Sequence, residues 1–449
     1  MRRLFYGLIL LSQVATGAGI VLAQTPDATP PSPAPAPVPA APPSTAPAPP
    51  TAATSASPPA SPAPGATGGT ETAAPVQAAA PKPKKPPPPP RELALSDDPT
   101  PTLQPETFFT TAKASERYLQ IVDRGGWPKV GVSLRPGAKG PAVTTLRRRL
   151  AAEDETLRDV SKPAWDNDLT AAVKRFQFRM GLKQTGVVAG KTLHELDIPA
   201  NVRFRQLASS AQRLAGVEFP FGPRYIVVNI PSTSVEAVDN DRVTRRYAAI
   251  VGDPEHHSPE VQSKVVAVNI NPTWTVPQSI IKNEIAPKML RDPSYLTRSK
   301  IRVLNAQGNE VDPRSINWAS ERAASYTLRQ DSGAGNSLGS IRISMPNPHS
   351  VYMHDTPSRN LFNNDYRFLS HGCVRVQGVV DLAAWLLDGA RGPMLDKAEI
   401  NRRIATGERE EVRLSQSVPV IWIYATGWAS ADGTVHFRED VYHLDEVGE

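Results

Sequence analysis

The stretch from residue 24 to residue 92 dictates how the rest of the chain has to be read. About half of the 47 prolines fall between residues 24 and 90, interleaved with Ala, Ser and Thr. The stretch closes on Pro81-Lys82-Pro83-Lys84-Lys85-Pro86, running on to Pro90. It has too few large apolar side chains to offset the entropy of ordering, and each proline removes a backbone donor. It is expected to be a disordered linker with polyproline II character, reaching on the order of 200 Å at ~3.1 Å per residue when fully extended. Its two readings are a spacer through an envelope and a passive linker. Folding then falls to the roughly 360 residues that remain, enough for more than one core at ~100–200 residues per domain.

Ahead of the linker, Met1-Arg2-Arg3 is followed by an apolar run from Leu4 to Leu11. Mostly small residues then lead to Val21-Leu22-Ala23. A charged start, a short apolar centre and a small-residue end predict a signal peptide over residues 1–23. The alternative is an uncleaved anchor, since Leu4 to Ala23 just reaches the ~20 residues a bilayer needs. Ser12, Gln13 and the glycines weaken that alternative. Either way the chain leaves the cytoplasm, and the periplasm is its expected location. Contact with a membrane is expected only if the segment stays uncleaved. Export argues against a nucleic-acid partner. The net charge of +6 is partly in the ends and tails (Arg2, Arg3, Lys82, Lys84, Lys85) and otherwise reads as solubility. The run Arg147-Arg148-Arg149 reads as the solvated face of a helix.

Residues 105–133 carry a helical scaffold segment, with Tyr118, Leu119 and Ile121 ahead of a Gly125-Gly126 stop and Trp127-Pro128. Residues 134–200 form a compact three-helix unit. Val143, Leu146 and Leu150 make one apolar stripe, and Leu169, Val173, Phe176 and Met180 make a second. A third short helix is expected over Thr192 to Leu196. From residue 201 to residue 445 the texture turns to short β-rich runs, such as Tyr225 to Ile230, Tyr247 to Val251 and Lys264 to Ile270. Helix and loop patterns interrupt them at about 276–330. The expected fold class is α+β and multidomain. It comprises a mostly-β catalytic domain with a partly helical lid inserted at 276–330, and a small three-helix domain before it.

Cys373 is the only cysteine, so neither an internal disulfide nor a multi-cysteine metal site is possible. It sits in Ser370-His371-Gly372-Cys373-Val374-Arg375, downstream of Tyr352-Met353-His354-Asp355-Thr356-Pro357. A thiol with an ordinary pKa near ~8.5 needs a base or a cation before it attacks a carbonyl. On a strand, residues two apart share a face, which would set His371 beside Cys373. His354 comes near through a hairpin-like return of the chain. The amides of Gly372 and Cys373 are candidate oxyanion donors, and Arg375 is a candidate carboxylate partner whose plain reading is a surface ion pair. By pattern alone a Cys–His pair leaves hydrolase, transferase, metal site and structural cysteine open. A metal site built on His354, His371 and Cys373 would lack the usual ligand spacing. His256 and His257 read as surface or loop residues with no partner.

At these residues the chain resembles the L,D-transpeptidase (YkuD-domain) family. That family's pattern is a histidine, a gap, then Ser/Thr-His-Gly-Cys-x-Arg/Asn. Asn271 to Pro277, Asn336-Ser337-Leu338-Gly339, Tyr352 to Arg359 and Gly125 to Pro128 are similar to its large YcbB-like branch, and the resemblance runs over about 105–445. The unit 134–200 resembles a peptidoglycan-binding domain through Phe176-Gln177, Gly181-Leu182, Gly186, Val188, Thr192 and Leu196. The resemblance implies Cys373 as nucleophile, His354 as proton carrier, and Ser370, His371, Gly372, Arg375, Tyr352 and Asp355 around them. It implies peptidoglycan stem peptides as partner, with a second stem or an outer-membrane protein as acceptor, and neither metal nor organic cofactor. Hydrolysis by the same nucleophile and a non-catalytic wall-binding role are the competing functions. Two departures from the family stand out. Asp355 follows the first histidine where glycine is usual, and Asp331-Ser332-Gly333 stands near a usual proline, which predicts a looser loop.

Overall fold

The computed structural model describes residues 91–154, 156–388 and 394–445. The expected signal peptide, and the expected linker up to Pro90, lie outside the described residues. Among the described residues no helix is long and apolar enough to cross a membrane.

Arg91 and Glu92, expected to belong to the linker, instead begin a pinned strap over 91–104. The Glu92 and Leu93 amides donate to the Asp365 carboxylate, and the Glu92 carbonyl accepts from Lys183 N. The Arg246 guanidinium donates to the carbonyls of Ser96 and Asp98, and Glu236 accepts from both the amide and the hydroxyl of Thr102. The strap thus touches both halves of the molecule before the first helix begins.

Helix α1 (Thr107–Asp123) is followed by α2 (Pro141–Ala151), α3 (Asn167–Arg179), α4 (Gly190–Asp197) and α5 (Ala200–Leu214). Local chemistry sets the ends. Pro141 opens α2, where its missing N–H costs nothing, and Asp166 caps α3 by accepting from Leu169 N. The stripes of α2 and α3 meet in one core with Val188 and Leu196. That core also takes Tyr118 of α1, Leu207 of α5, and Ala429, Val435 and Phe437 from the far end of the chain. Helix α5 lies along α1, on the helical side rather than with the strands.

Of the arginine run only Arg148 is a solvated residue. Arg147 and Arg149 are 1% and 0% exposed. Arg149 pairs with Glu153 at 2.6 Å and lies over the Trp127 ring, while Arg147 pairs with Asp166. Tyr118 donates to Glu153 as well. Burial alone would raise the Glu153 carboxyl, but Arg149 and Arg179 hold it down at about 2. A helical charge run looks the same in sequence whether its partners are water or buried carboxylates.

The second half is a mixed β-sheet. Its strands are β1 (Arg224–Asn229), β2 (Ser234–Asp239), β3 (Arg242–Gly252) and β4 (Val261–Ile270). After the lid come β9 (Ile341–Ser344), β10 (Met353–His354), β11 (Phe368–Ser370), β12 (Val374–Val376) and β13 (Glu410–Ile423). Eight of them close a circuit in the order β3-β12-β10-β9-β4-β13-β1-β2 and back to β3, and β11 lies beside β3. Strand β1 is buried on both faces. Ile226 and Val228 enter the main core, while Tyr225 and Val227 enter a second cluster with Ile421 and Ile423, so the strand reads as one unbroken apolar run. Helices α9 (Val379–Leu386) and α10 (Lys397–Thr406) add Leu382, Leu386 and Ile400 to the main core. The hairpin β14 (Gly427–Ala429) with β15 (Val435–Phe437) then carries the chain back to the helical body.

Between β4 and β9 sits the lid. It holds a small sheet, β5 (Trp274–Thr275), β6 (Ile301–Leu304), β7 (Glu310–Val311) and β8 (Thr327–Gln330), ordered β5-β8-β6-β7. Helices α6 (Gln278–Ile280), α7 (Ala286–Arg291) and α8 (Tyr295–Arg298) pack on it, with one π turn at Ile281–Ile285. Ile281, Ile285, Met289, Leu296, Val303, Trp318 and Leu328 give it a core of its own. The loop expected to be loose is held: the Asn336 side chain donates to the Pro272 and Asp331 carbonyls, and Arg302 pairs with Asp331.

Candidate active site

Strands β10 and β12 lie side by side in parallel, with Met353 opposite Val374 and His354 opposite Arg375. The approach is therefore not a hairpin; the chain crosses over through β11 before it returns, as parallel neighbours require. Side chains alternate along a strand, so Met353 and Val374 fill the core. Tyr352, His354, Cys373 and Arg375 share the other face. With Ser370 and His371 they line a pocket of about 290 Å³ that the lid covers with Trp274, Pro277, Ile280, Glu284, Lys288 and Tyr295.

Residues 371–373 form a bend between β11 and β12 rather than a strand. Gly372 makes the bend possible: its φ is +103°, and a Cβ there would lie 3.2 Å from the His257 carbonyl oxygen. The Ser370 hydroxyl staples the bend, donating to the Cys373 carbonyl at 2.5 Å and accepting from the Gly372 amide at 3.2 Å. The Gly372 amide is thus engaged inside the bend, which leaves the Cys373 amide of the two expected oxyanion donors. The Gly372 carbonyl accepts from the Ser258 hydroxyl.

His354 is buried, and Nδ1 lies 2.5 Å from the Asp355 carbonyl oxygen. A carbonyl only accepts, so this contact puts the ring proton on Nδ1 and directs Nε2 to proton exchange. Burial, and after it the Arg375 guanidinium, push His354 down to about 4. Burial raises the Cys373 thiol above its ordinary value, while the Tyr352 backbone N–H, Arg375 and Arg342 act the other way. At neutral pH the pair therefore rests as thiol and neutral imidazole, with a donor and two guanidinium groups placed to favour a thiolate when one forms. The Tyr352 amide was not legible in the sequence, because only the pairing of β10 with β12 brings it to the sulfur.

Asp355, the residue that departs from the family pattern, is buried and fully engaged. Its carboxylate accepts from the Ser340 amide and hydroxyl at 3.0 and 2.8 Å and from Arg359 at 3.0 Å. Its side chain thus ties the turn after His354 to Gly339 and Ser340, and its backbone carbonyl orients the ring. Tyr352 stacks edge-on to His354 at 5.7 Å and shares a hydrogen bond with the Trp274 side chain at the base of the lid. Arg375 makes no ion pair among the described residues, and burial is what lowers its pKa. A half-buried guanidinium on a pocket wall is suited to a planar anion.

His371 lines the pocket with Cys373, but its ring is held by the lid. Its Nε2 donates to Glu284 of the lid at 2.9 Å, and its ring lies 4.3 Å from that of His256. His256 is in turn bonded to Asp253 at 3.0 Å, and His257 stacks flat on Tyr442 at 3.9 Å. Both histidines expected to lack partners are thus engaged. Among the described residues no group of three or more His, Cys, Asp or Glu side chains is arranged to hold a metal ion.

The site is thus a thiol and an imidazole under a lid in a mostly-β domain, with a small helical domain upstream. Residues 223–399 match the family model described as "L,D-transpeptidase catalytic domain" (YkuD), and residues 139–196 match that described as "Putative peptidoglycan binding domain". Residues 223–399 are thus similar to L,D-transpeptidase catalytic domains, and the segment upstream of them to peptidoglycan-binding domains. A Haemophilus influenzae protein named "Putative L,D-transpeptidase" is 35% identical over 243 residues, 54% of this chain and 48% of that protein. The match thus spans about half of that relative's length. Two solved structures are also similar. The L,D-transpeptidase from Mycobacterium smegmatis has 15% identity and a TM-score of 0.22, covering 44% of this chain and 58% of that one. An L,D-transpeptidase segment from Xylanimonas cellulosilytica has 16% identity and a TM-score of 0.21, covering 66% of this chain and 99% of that one.

Proposed function

We propose that this protein is a periplasmic cysteine acyltransferase that acts on peptidoglycan tetrapeptide stems. The observation that carries the reading is the shared face of β10 and β12, which sets His354, Cys373 and Arg375 together in the lidded pocket. The Cys373 sulfur attacks the carbonyl of the third, L-centred stem residue as His354 Nε2 takes the thiol proton. The oxyanion that forms is met by the Cys373 amide. The C–N bond to the terminal D-alanine breaks, and His354 returns the proton to the leaving amine, so a thioester remains. A second amine then attacks the thioester, its proton passes to His354, and the thiol is restored. Dividing the transfer in two replaces one hard step with two easier ones. Arg375 holds the donor's carboxylate. A neighbouring stem, or the N-terminus of an outer-membrane protein, supplies the acceptor amine, and water as acceptor would give a carboxypeptidase. A lid that sheds water favours the amine. The residues 139–196 hold the enzyme on its polymer.

The test is mass spectrometry of products from purified tetrapeptide muropeptides. Loss of D-alanine with formation of a dimer supports the transferase. Loss of D-alanine with only tripeptide would make it a hydrolase. An unchanged substrate would remove the reading.

A further inference from the structure

The lid is a body with its own sheet and core, joined to the barrel along one side only. Its first and last strands, β5 and β8, are paired at Trp274 and Gln330, so both chain crossings lie together. The side chains of Gln330 and Asn336 fasten that edge, with Gln330 donating to the Ser299 and Gly335 carbonyls. A body joined along one edge can swing about it, unless something holds the opposite side. Across the mouth of the pocket one contact does so: His371 Nε2 to Glu284 Oε1, 2.9 Å. Among the described residues, the ion pair Arg302 with Asp331 lies within the lid, at its hinge, and does not cross to the barrel.

Glu284 is placed for this. It lies on the π turn, whose Ile281 and Ile285 are anchored in the lid core. Its second carboxylate oxygen takes Lys288 Nζ at 2.9 Å, which fixes its orientation. On the barrel side, His371 is the residue immediately before Gly372-Cys373, and His256 with Asp253 backs its ring. We infer that Glu284 is a positioning residue: its bond to His371 latches the lid over Cys373, so that the covered state of the thiol depends on this pair. The inference rests on Cys373 being the reacting group proposed above. Its test reads access to the thiol and not acyl transfer, so the two can fail separately. The pair is a third exposed on each side, at 38% and 35%, and is therefore weak. Weakness suits a latch that opens in every turnover.

The experiment compares labelling rates of Cys373 in the full chain with iodoacetamide, which is small, and a dye-linked maleimide, which is bulky. Glu284→Ala should raise the bulky-to-small ratio roughly three- to fivefold, and Glu284→Gln should move it in the same direction by less. Salt at about 1 M should raise the ratio in wild type and leave it unchanged in Glu284→Ala. Lys282→Ala is the control, because Lys282 pairs with Glu321 inside the lid and does not cross the mouth. An unchanged ratio in Glu284→Ala, or an equal rise in Lys282→Ala, overturns the latch.

Discussion

Replacing Gly339 with alanine should damage the site through Asp355. Gly339 has φ +61°, and a Cβ there would lie 2.5 Å from the Asp355 Cβ and 2.6 Å from its carboxyl. Two costs follow for Gly339→Ala. The left-handed backbone costs an L-residue ~1–2 kcal/mol, and overpacking against a buried neighbour costs ~1–3 kcal/mol. The sum is about 2–5 kcal/mol. In an Asp355→Gly background the obstructing side chain is gone, so only the backbone cost of ~1–2 kcal/mol should remain. Asp355→Gly alone loses the bonds from Ser340 and Arg359, at about 1–3 kcal/mol. The double variant should therefore be more stable than additivity allows by ~1–3 kcal/mol. Urea unfolding of the four proteins, followed by tryptophan fluorescence, measures this. Acyl transfer gives a second reading: a ~1 Å shift of the Asp355 carbonyl would displace the His354 ring and should cost on the order of 100-fold in rate. Strictly additive losses would refute the contact and the route from Gly339 to His354.

Cys373→Ala and Cys373→Ser should both abolish acyl transfer with an unaltered circular dichroism spectrum, and cross-linking by the alanine variant would remove the nucleophile. A carbapenem should add the mass of one drug molecule to the wild type and none to Cys373→Ala; Arg375→Ala should acylate more slowly, and an equal rate would take Arg375 out of carboxylate binding. The imidazole must be neutral to take the thiol proton, so the acylation rate should fall as pH drops through about 4. After burial, Arg375 depresses His354, so in Arg375→Ala the acid limb should move to higher pH; a limb that stays in place would break the link. Excising residues 134–200 should lower the melting temperature of the remaining protein, because Tyr118, Leu207, Val435 and Phe437 would lose their core; an unchanged melt would mean the two halves are independent.

The chemistry was legible in the sequence where it is carried by residue identity. A lone thiol in Ser-His-Gly-Cys-x-Arg, a histidine upstream and alternating β-rich runs pointed to the pocket that the fold assembles. Distance relations were less legible. The parallel pairing of β10 with β12 depends on the route of the intervening chain, and a hairpin and a crossover can leave the same local pattern. His371 was expected beside the thiol by strand alternation, but Gly372 with its positive φ ends the strand and turns that ring to the lid. The rings that His256 and His257 meet could not be placed, since His371 and Tyr442 lie more than a hundred residues away. Arg147 and Arg149 showed the same limit in the helical half: charge is visible in sequence, but the carboxylates that permit its burial come from other turns and helices.

The strap at 91–104 has a mechanical consequence. Any force transmitted down the chain toward Arg91 meets Asp365 first, then Arg246, then Glu236, before it reaches the first helix. Because Lys183 and Gly181 of the helical body also hold the strap, the load is shared between both halves of the molecule. The arrangement works as strain relief does where a cable enters its housing. Tension is spent on a row of hydrogen bonds at the entry before it reaches the first helix.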